Sequence, residues 1–150
     1  MLDTLPSSTD FEAMNWHDNH IHGFAITGSN IGQGALTFDI DYISEWKCGD
    51  DGNCTFMVTP STLIFFDVSA LKITLDYATI PLAITPFSVL EIHRNTFQYL
   101  NGFYTYQWRL ALNYPAGEIS FIARGFKQTA RQNAVESQDQ FLEQDLRTKI

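Results

Sequence analysis

Long apolar runs are missing from this chain. The longest are of the kind LIFF at 63–66, far below the ~20 residues a membrane-spanning helix needs. The opening MLDTLPSSTDFEA has no basic segment followed by an apolar one. No secretory leader is therefore expected, and a cytoplasmic protein without a membrane partner is the default. Cysteine is scarce as well: Cys48 and Cys54 bracket GDDGN. In a chain read as cytoplasmic these are expected to be two reduced thiols. Their acidic loop is the wrong field for a stabilised thiolate, and their spacing is not that of a zinc knuckle. The sequence also has no glycine-rich phosphate loop, no G-x-S-x-G elbow and no H-E-x-x-H, which removes the commonest catalytic signatures.

Basic residues are the next deficit. Residues 1–60 hold one, Lys47, against nine acids, and the remaining ninety hold eight of each, so the whole net charge of −8 sits in the first part. A surface of that sign repels phosphate backbones, which argues against nucleic-acid binding, and attracts basic proteins. Asp39, Asp41, Glu45, Asp50 and Asp51 are the candidate rim of such an interface, with Trp46 as its aromatic anchor.

What the chain has in quantity is aromatic side chains, twelve Phe, six Tyr and three Trp, and that argues against disorder. Its apolar residues recur with period two. In GALTFDIDYISEW (34–46), Leu36, Phe38, Ile40 and Tyr42 alternate with Thr37, Asp39 and Asp41, the pattern of a strand with one wet face. The same pattern marks strands over 20–27, 71–77, 104–114 and 118–126, and a further strand near 88–95 after a proline-bearing crossing segment. Pro60 is expected to divide 54–60 from 61–68, because proline cannot donate within a central strand. The expectation is an all-β, mainly antiparallel single domain over 1–150, either a β-barrel or a β-sandwich. Short helical segments are expected near Asp10 and over 137–147, with 1–10 and 137–150 peripheral. Tyr104, Tyr106 and Trp108 share one strand face and are the candidate lining of any cavity. Arg109 and Arg124 are expected to pair with carboxylates or to bind an anion.

The stretch WHDNHIH at 16–22 holds three of the four histidines. His17, His20 and His22 are the candidate metal ligands, and no other cofactor is implied. Strict strand parity opposes that reading. It sends His20 and His22 to the apolar face with Phe24 and Ile26, and Asp39 and Asp41 to the other face. A one-residue bulge would reverse this. The competing reading is structural, with Asp18 and Asn19 forming a turn and Trp16 plugging the sheet.

The motifs W-H-D-x-x-I-H-G at 16–23, D-I-D-Y-I-x-x-W at 39–46 and G-E-I-S-F-x-A-x-G-F-x-Q at 117–128 together resemble a family of small uncharacterised bacterial proteins. In size, acidity and β pattern the chain is also similar to immunity proteins of bacterial toxin systems. The expectation is a non-catalytic, immunity-like protein-interaction module whose acidic N-terminal portion meets a basic protein partner. The alternatives are a histidine-centred metal enzyme and a lipocalin-like binder of small molecules.

Overall fold

The computed structural model describes residues 5–28 and 33–148. Most of the Gly28–Gln33 connection, expected to close a hairpin, therefore lies outside the described residues. The strands are β1 (Ser7–Ser8), β2 (His20–Thr27), β3 (Ala35–Cys48), β4 (Cys54–Phe66), β5 (Ser69–Asp76), β6 (Phe87–Gln98), β7 (Tyr104–Tyr114), β8 (Ala116–Ala123), β9 (Gly125–Ala130) and β10 (Val135–Ser137). They form one antiparallel sheet in the order β1-β9-β4-β3-β2-β6-β7-β8-β5, with β10 added beside β4.

All-β and antiparallel are as the periodicity predicts, but neither closed barrel nor sandwich is formed. β1 and β5 are edges that do not pair with each other, and there is one sheet rather than two. The sheet instead curls over onto itself. Phe65 of β4 meets Trp108 of β7 and Phe121 of β8, with ring centroids 5.0 and 4.7 Å apart. β8 and β9 are nearly continuous in sequence and turn at Arg124, whose N–H donates to the Phe66 carbonyl. Period-two alternation supplies the inner face: Leu36, Phe38 and Ile40 of β3, Leu63 and Phe65 of β4, and Leu110, Ile119 and Phe121 are all buried. The expected helical segments are only short 3-10 turns, Phe11–Ala13, capped by the Asp10 carboxylate, and Gln144–Leu146.

Pro60 does not divide β4. The strand runs unbroken from Cys54 to Phe66, with Pro60 opposite Asp41 of β3. The Pro60 carbonyl accepts from Arg131 N–H on the other side, so its ring nitrogen also faces away from β3. There β10 pairs with residues 56–58 and β9 with 61–66. Proline occupies the gap between two partners, where no strand asks it for an N–H.

Cys48 and Cys54 are not two thiols but a disulfide. They face each other across the β3–β4 hairpin with Cα atoms 4.0 Å apart. Such bonds belong to oxidising compartments, so the bridge is not what a cytoplasmic chain leads one to expect. No helix among the described residues is long and apolar enough to cross a membrane.

Two glycines differ sharply in what they tolerate. A Cβ on Gly117 would lie 2.1 Å from the Thr74 carbonyl of the neighbouring β5, whereas one on Gly23 meets nothing within 4 Å. Gly117→Ala is expected to lower unfolding stability by about 2 kcal/mol or more, because backbone must move to make room. Gly23→Ala should stay within about 0.5 kcal/mol of wild type. Chemical denaturation of the two variants measures both.

Candidate functional site

β2 begins with the histidine-rich stretch, and its geometry turns on a bulge. Ile21 pairs with Ile40 and Gly23 with Asp39, leaving His22 as the extra residue. The bulge keeps Ile21 on the core side and returns Phe24 to it, opposite Phe38. His22 is thereby swung to the outer face, where His20 already lies opposite Asp41. The parity argument, which set both histidines against the aspartates, is overturned by one inserted residue.

On that outer face His22 Nε2 lies 2.9 Å from Asp41 Oδ2, and Asp41 is fully buried. Asp41 also accepts from the Leu142 N–H at 2.8 Å and from Arg147 Nε at 2.9 Å. Arg147 reaches Asp39 with its other two nitrogens, at 3.1 and 2.6 Å, and Arg131 Nη2 donates to the same carboxylate at 2.5 Å. Asp39 and Asp41 are thus not a solvated rim. They are neutralised by two arginines, and Asp41 offers no surface to a partner.

The element that closes the site is the C-terminal strap, residues 138–148. Leu142 drops into a small apolar cluster with Ile43, Phe56 and Val58 on the outer face. Phe141 covers the His20 ring at 4.8 Å between centroids. Gln140 donates to Asp18, and Gln132 pins Leu146 and Thr148 from the side. The strap carries no α-helix, only bends and the 3-10 turn Gln144–Leu146.

Charge and burial act together here. Burial alone would raise the Asp39 carboxyl, but hydrogen bonds from Arg147 and Arg131 outweigh it and hold it below its ordinary value. Asp41 behaves alike: burial pushes its pKa up, while hydrogen bonds from His22, Arg147 and the Leu142 amide outweigh it and hold the pKa below its ordinary value. For His20 burial dominates and lowers its pKa, and its Nδ1 is buried with no hydrogen-bond partner. His20 is therefore a neutral ring under Phe141.

The three candidate metal ligands go separate ways. His17 is exposed, with Nδ1 3.0 Å from the Leu90 carbonyl oxygen, and its ring stacks on Trp46 at 6.4 Å. His20 packs under Phe141, and His22 binds Asp41. Among the described residues no group of three or more His, Cys, Asp or Glu is placed to hold a metal ion. Trp16 is the expected plug: it is buried, and its indole N–H donates to Gln128 at 2.8 Å.

A second bulge acts at the other end of β3. Between Ile43 and Glu45 the register shifts, so Trp46 pairs with Phe56 on the strap side instead of following Tyr42. Trp46 is 44% exposed and stands edge-on to Phe56 at 4.9 Å. Glu45, Asp50 and Asp51 are exposed around the same hairpin. The cavity candidates also divide. Trp108 is buried and donates to the Ala123 carbonyl at 3.0 Å, Tyr106 is half-buried beside it, and Tyr104 is exposed and apart. Arg109 pairs with Glu118 and Arg124 with Asp67, as expected of structural cations.

Comparison of the chain with protein families, with curated proteins and with solved structures finds no match. Function is therefore read from geometry alone. Arg131, Arg147 and Leu142 are the site residues that sequence reasoning missed. The available signal was two arginines late in the chain after a D-x-D strand whose one base, Lys47, lies six residues beyond Asp41.

Removing Arg147 leaves two carboxylates facing each other with Arg131 as their remaining cation. Arg147→Ala is expected to cost about 3 kcal/mol, the range seen when one partner of a buried ion pair is deleted. It should also make the strap protease-sensitive, which limited digestion followed by mass spectrometry reads directly.

Acid should loosen the strap in two windows. His20 contributes by staying neutral, so its contribution is complete above the ordinary value of 6.5 and shrinks as pH falls below it. Asp39 and Asp41 contribute fully above their ordinary 3.8, and that is lost as pH falls through their depressed values. Thermal melts from neutral to acid pH should show both declines. His20→Phe should erase the upper one and leave the lower.

Proposed function

We propose that this protein is a non-catalytic protein-binding module whose contact surface is the tip of the β3–β4 hairpin. The observation that carries the reading is Trp46, an exposed indole held in one orientation. His17 stacks on it, Phe56 meets it edge-on, and the Cys48–Cys54 bridge ties the hairpin a few residues away. Such a side chain loses little freedom on binding, which is what an interface anchor requires. Glu45, Asp50 and Asp51 lie exposed on the same hairpin, and exposed carboxylates near an aromatic anchor favour a basic partner. Asp39 and Asp41, spent on Arg131 and Arg147, take no part.

The His22–Asp41 pair does not favour an enzyme. The His22 side chain is 5% exposed, and its Nδ1 faces Gln144 at 3.4 Å.

The test is capture of basic proteins from the source cell with tagged wild type, Trp46→Ala and a Glu45→Lys, Asp50→Lys, Asp51→Lys triple variant. A specific partner should be captured by wild type, and its affinity should fall by about tenfold or more with Trp46→Ala, as for an interface anchor. Charge reversal should slow association and weaken the salt dependence. Equal capture by all three proteins would sink the proposal.

A further inference from the structure

A cleft of about 410 Å³ opens where β6 and β7 approach the β8–β9 corner, lined by Thr9, Phe66, Arg94, Tyr106, Trp108 and Arg124 among others. Its walls are aromatic and its only cations are two arginines. Arg94 is the unusual one. Its guanidinium carbon lies 4.5 Å from the Phe11 ring centroid, 4.6 Å from Tyr106 and 5.9 Å from Trp108. The side chain is 28% exposed, yet among the described residues no hydrogen bond joins its five N–H donors to an acceptor. The one carboxylate nearby, Glu12, is 3.6 Å away on a side chain that is 81% exposed. Arg124 is the second cation. It spends Nε on Asp67 at 2.8 Å and lies 73% exposed.

Rings fix the plane of a guanidinium without using its N–H groups, so Arg94 is an oriented fork whose one ion pair is the long, solvent-exposed contact with Glu12. A planar fork of this kind matches a carboxylate, which can accept two parallel hydrogen bonds. The aromatic wall beside it suits a flat apolar body. Arg109 differs in each respect: it lies outside the cleft and is already bonded to Glu118.

We infer that the Arg94 cleft binds a small organic carboxylate with a flat, apolar body, its carboxylate on the Arg94 fork and its body against the partly exposed rings of Tyr106 and Phe66. Arg124 adds favourable charge at the mouth, and Glu12 swings into solvent when the anion arrives. The site is separate from the β3–β4 hairpin, so its success or failure leaves the protein-binding proposal untouched.

The probe is 2-naphthoate, with neutral naphthalene-2-methanol as its uncharged counterpart. Each is titrated into wild type, Arg94→Met and Arg94→Lys, followed by the N–H resonances of the Arg94 guanidinium and the Trp108 indole. The indole is a fixed reporter because it donates to the Ala123 carbonyl. Saturable shifts at both groups are expected, with naphthoate binding about tenfold more tightly than the alcohol. Arg94→Met should lose that preference, and Arg94→Lys, with charge but no fork, should regain only part of it. The inference is overturned if wild type shows no saturable shift, if acid and alcohol bind equally, or if the shifts fall outside this cleft. It is equally overturned if a folded Arg94→Met keeps the preference. The wild-type comparison and the location of the shifts decide the matter even if a variant fails to fold.

Discussion

Arg147 lying between Asp39 and Asp41 is the interaction on which the outer half of this structure depends. Two carboxylates on one face of a strand, two residues apart, repel each other and cannot be buried unaided. A single guanidinium satisfies both, with Nε on Asp41 and the two terminal nitrogens on Asp39. That pairing pins the strap, and the strap covers apolar residues that β3 and β4 would otherwise expose. A buried ion pair of this kind adds little net stability compared with an apolar substitute. What it contributes here is position, since it fixes Arg147 and the Leu142 amide against β3.

The two bulges supply the geometry that the ion pairs exploit. Each inserts one residue into β2 or β3 and reverses the side-chain parity beyond it. The first swings His22 to Asp41. The second sends Trp46 to the outer face, where Phe56 and His17 hold it. Without bulges, strict alternation would place His22 in the aromatic core and turn Trp46 towards it. One inserted residue in β2 and one in β3 thus decide that His22 and Trp46 belong to the outer face.

The inner face is an aromatic stack rather than a hollow. Phe65 touches Trp108, Phe121, Phe38 and Phe126 with ring centroids between 4.7 and 6.1 Å. Edge-on and tilted contacts of that kind fill space efficiently and leave no room for a central calyx. Concavity is displaced to the margin, where the curled sheet brings Arg94 and Arg124 to the same opening. A binder of small molecules built on this fold would use its rim rather than its centre.

Period-two alternation by itself determined that the chain is β throughout, where most strands lie and which side chains form the core. β7 spans the predicted residues, and Leu36, Phe38 and Ile40 are buried as their spacing requires. Local chemistry of this sort is legible because each strand residue chooses its face from its neighbours two positions away. Tertiary structure decided the rest. Whether Pro60 breaks a strand depended on β9 and β10 meeting at a gap, and whether Cys48 bonds Cys54 depended on hairpin register. Asp39 and Asp41 read as solvent-facing because they alternate with apolar residues, yet their arginine partners lie 92 to 108 residues away in sequence. Periodicity reports which face a side chain takes, and only the folded chain determines what covers that face.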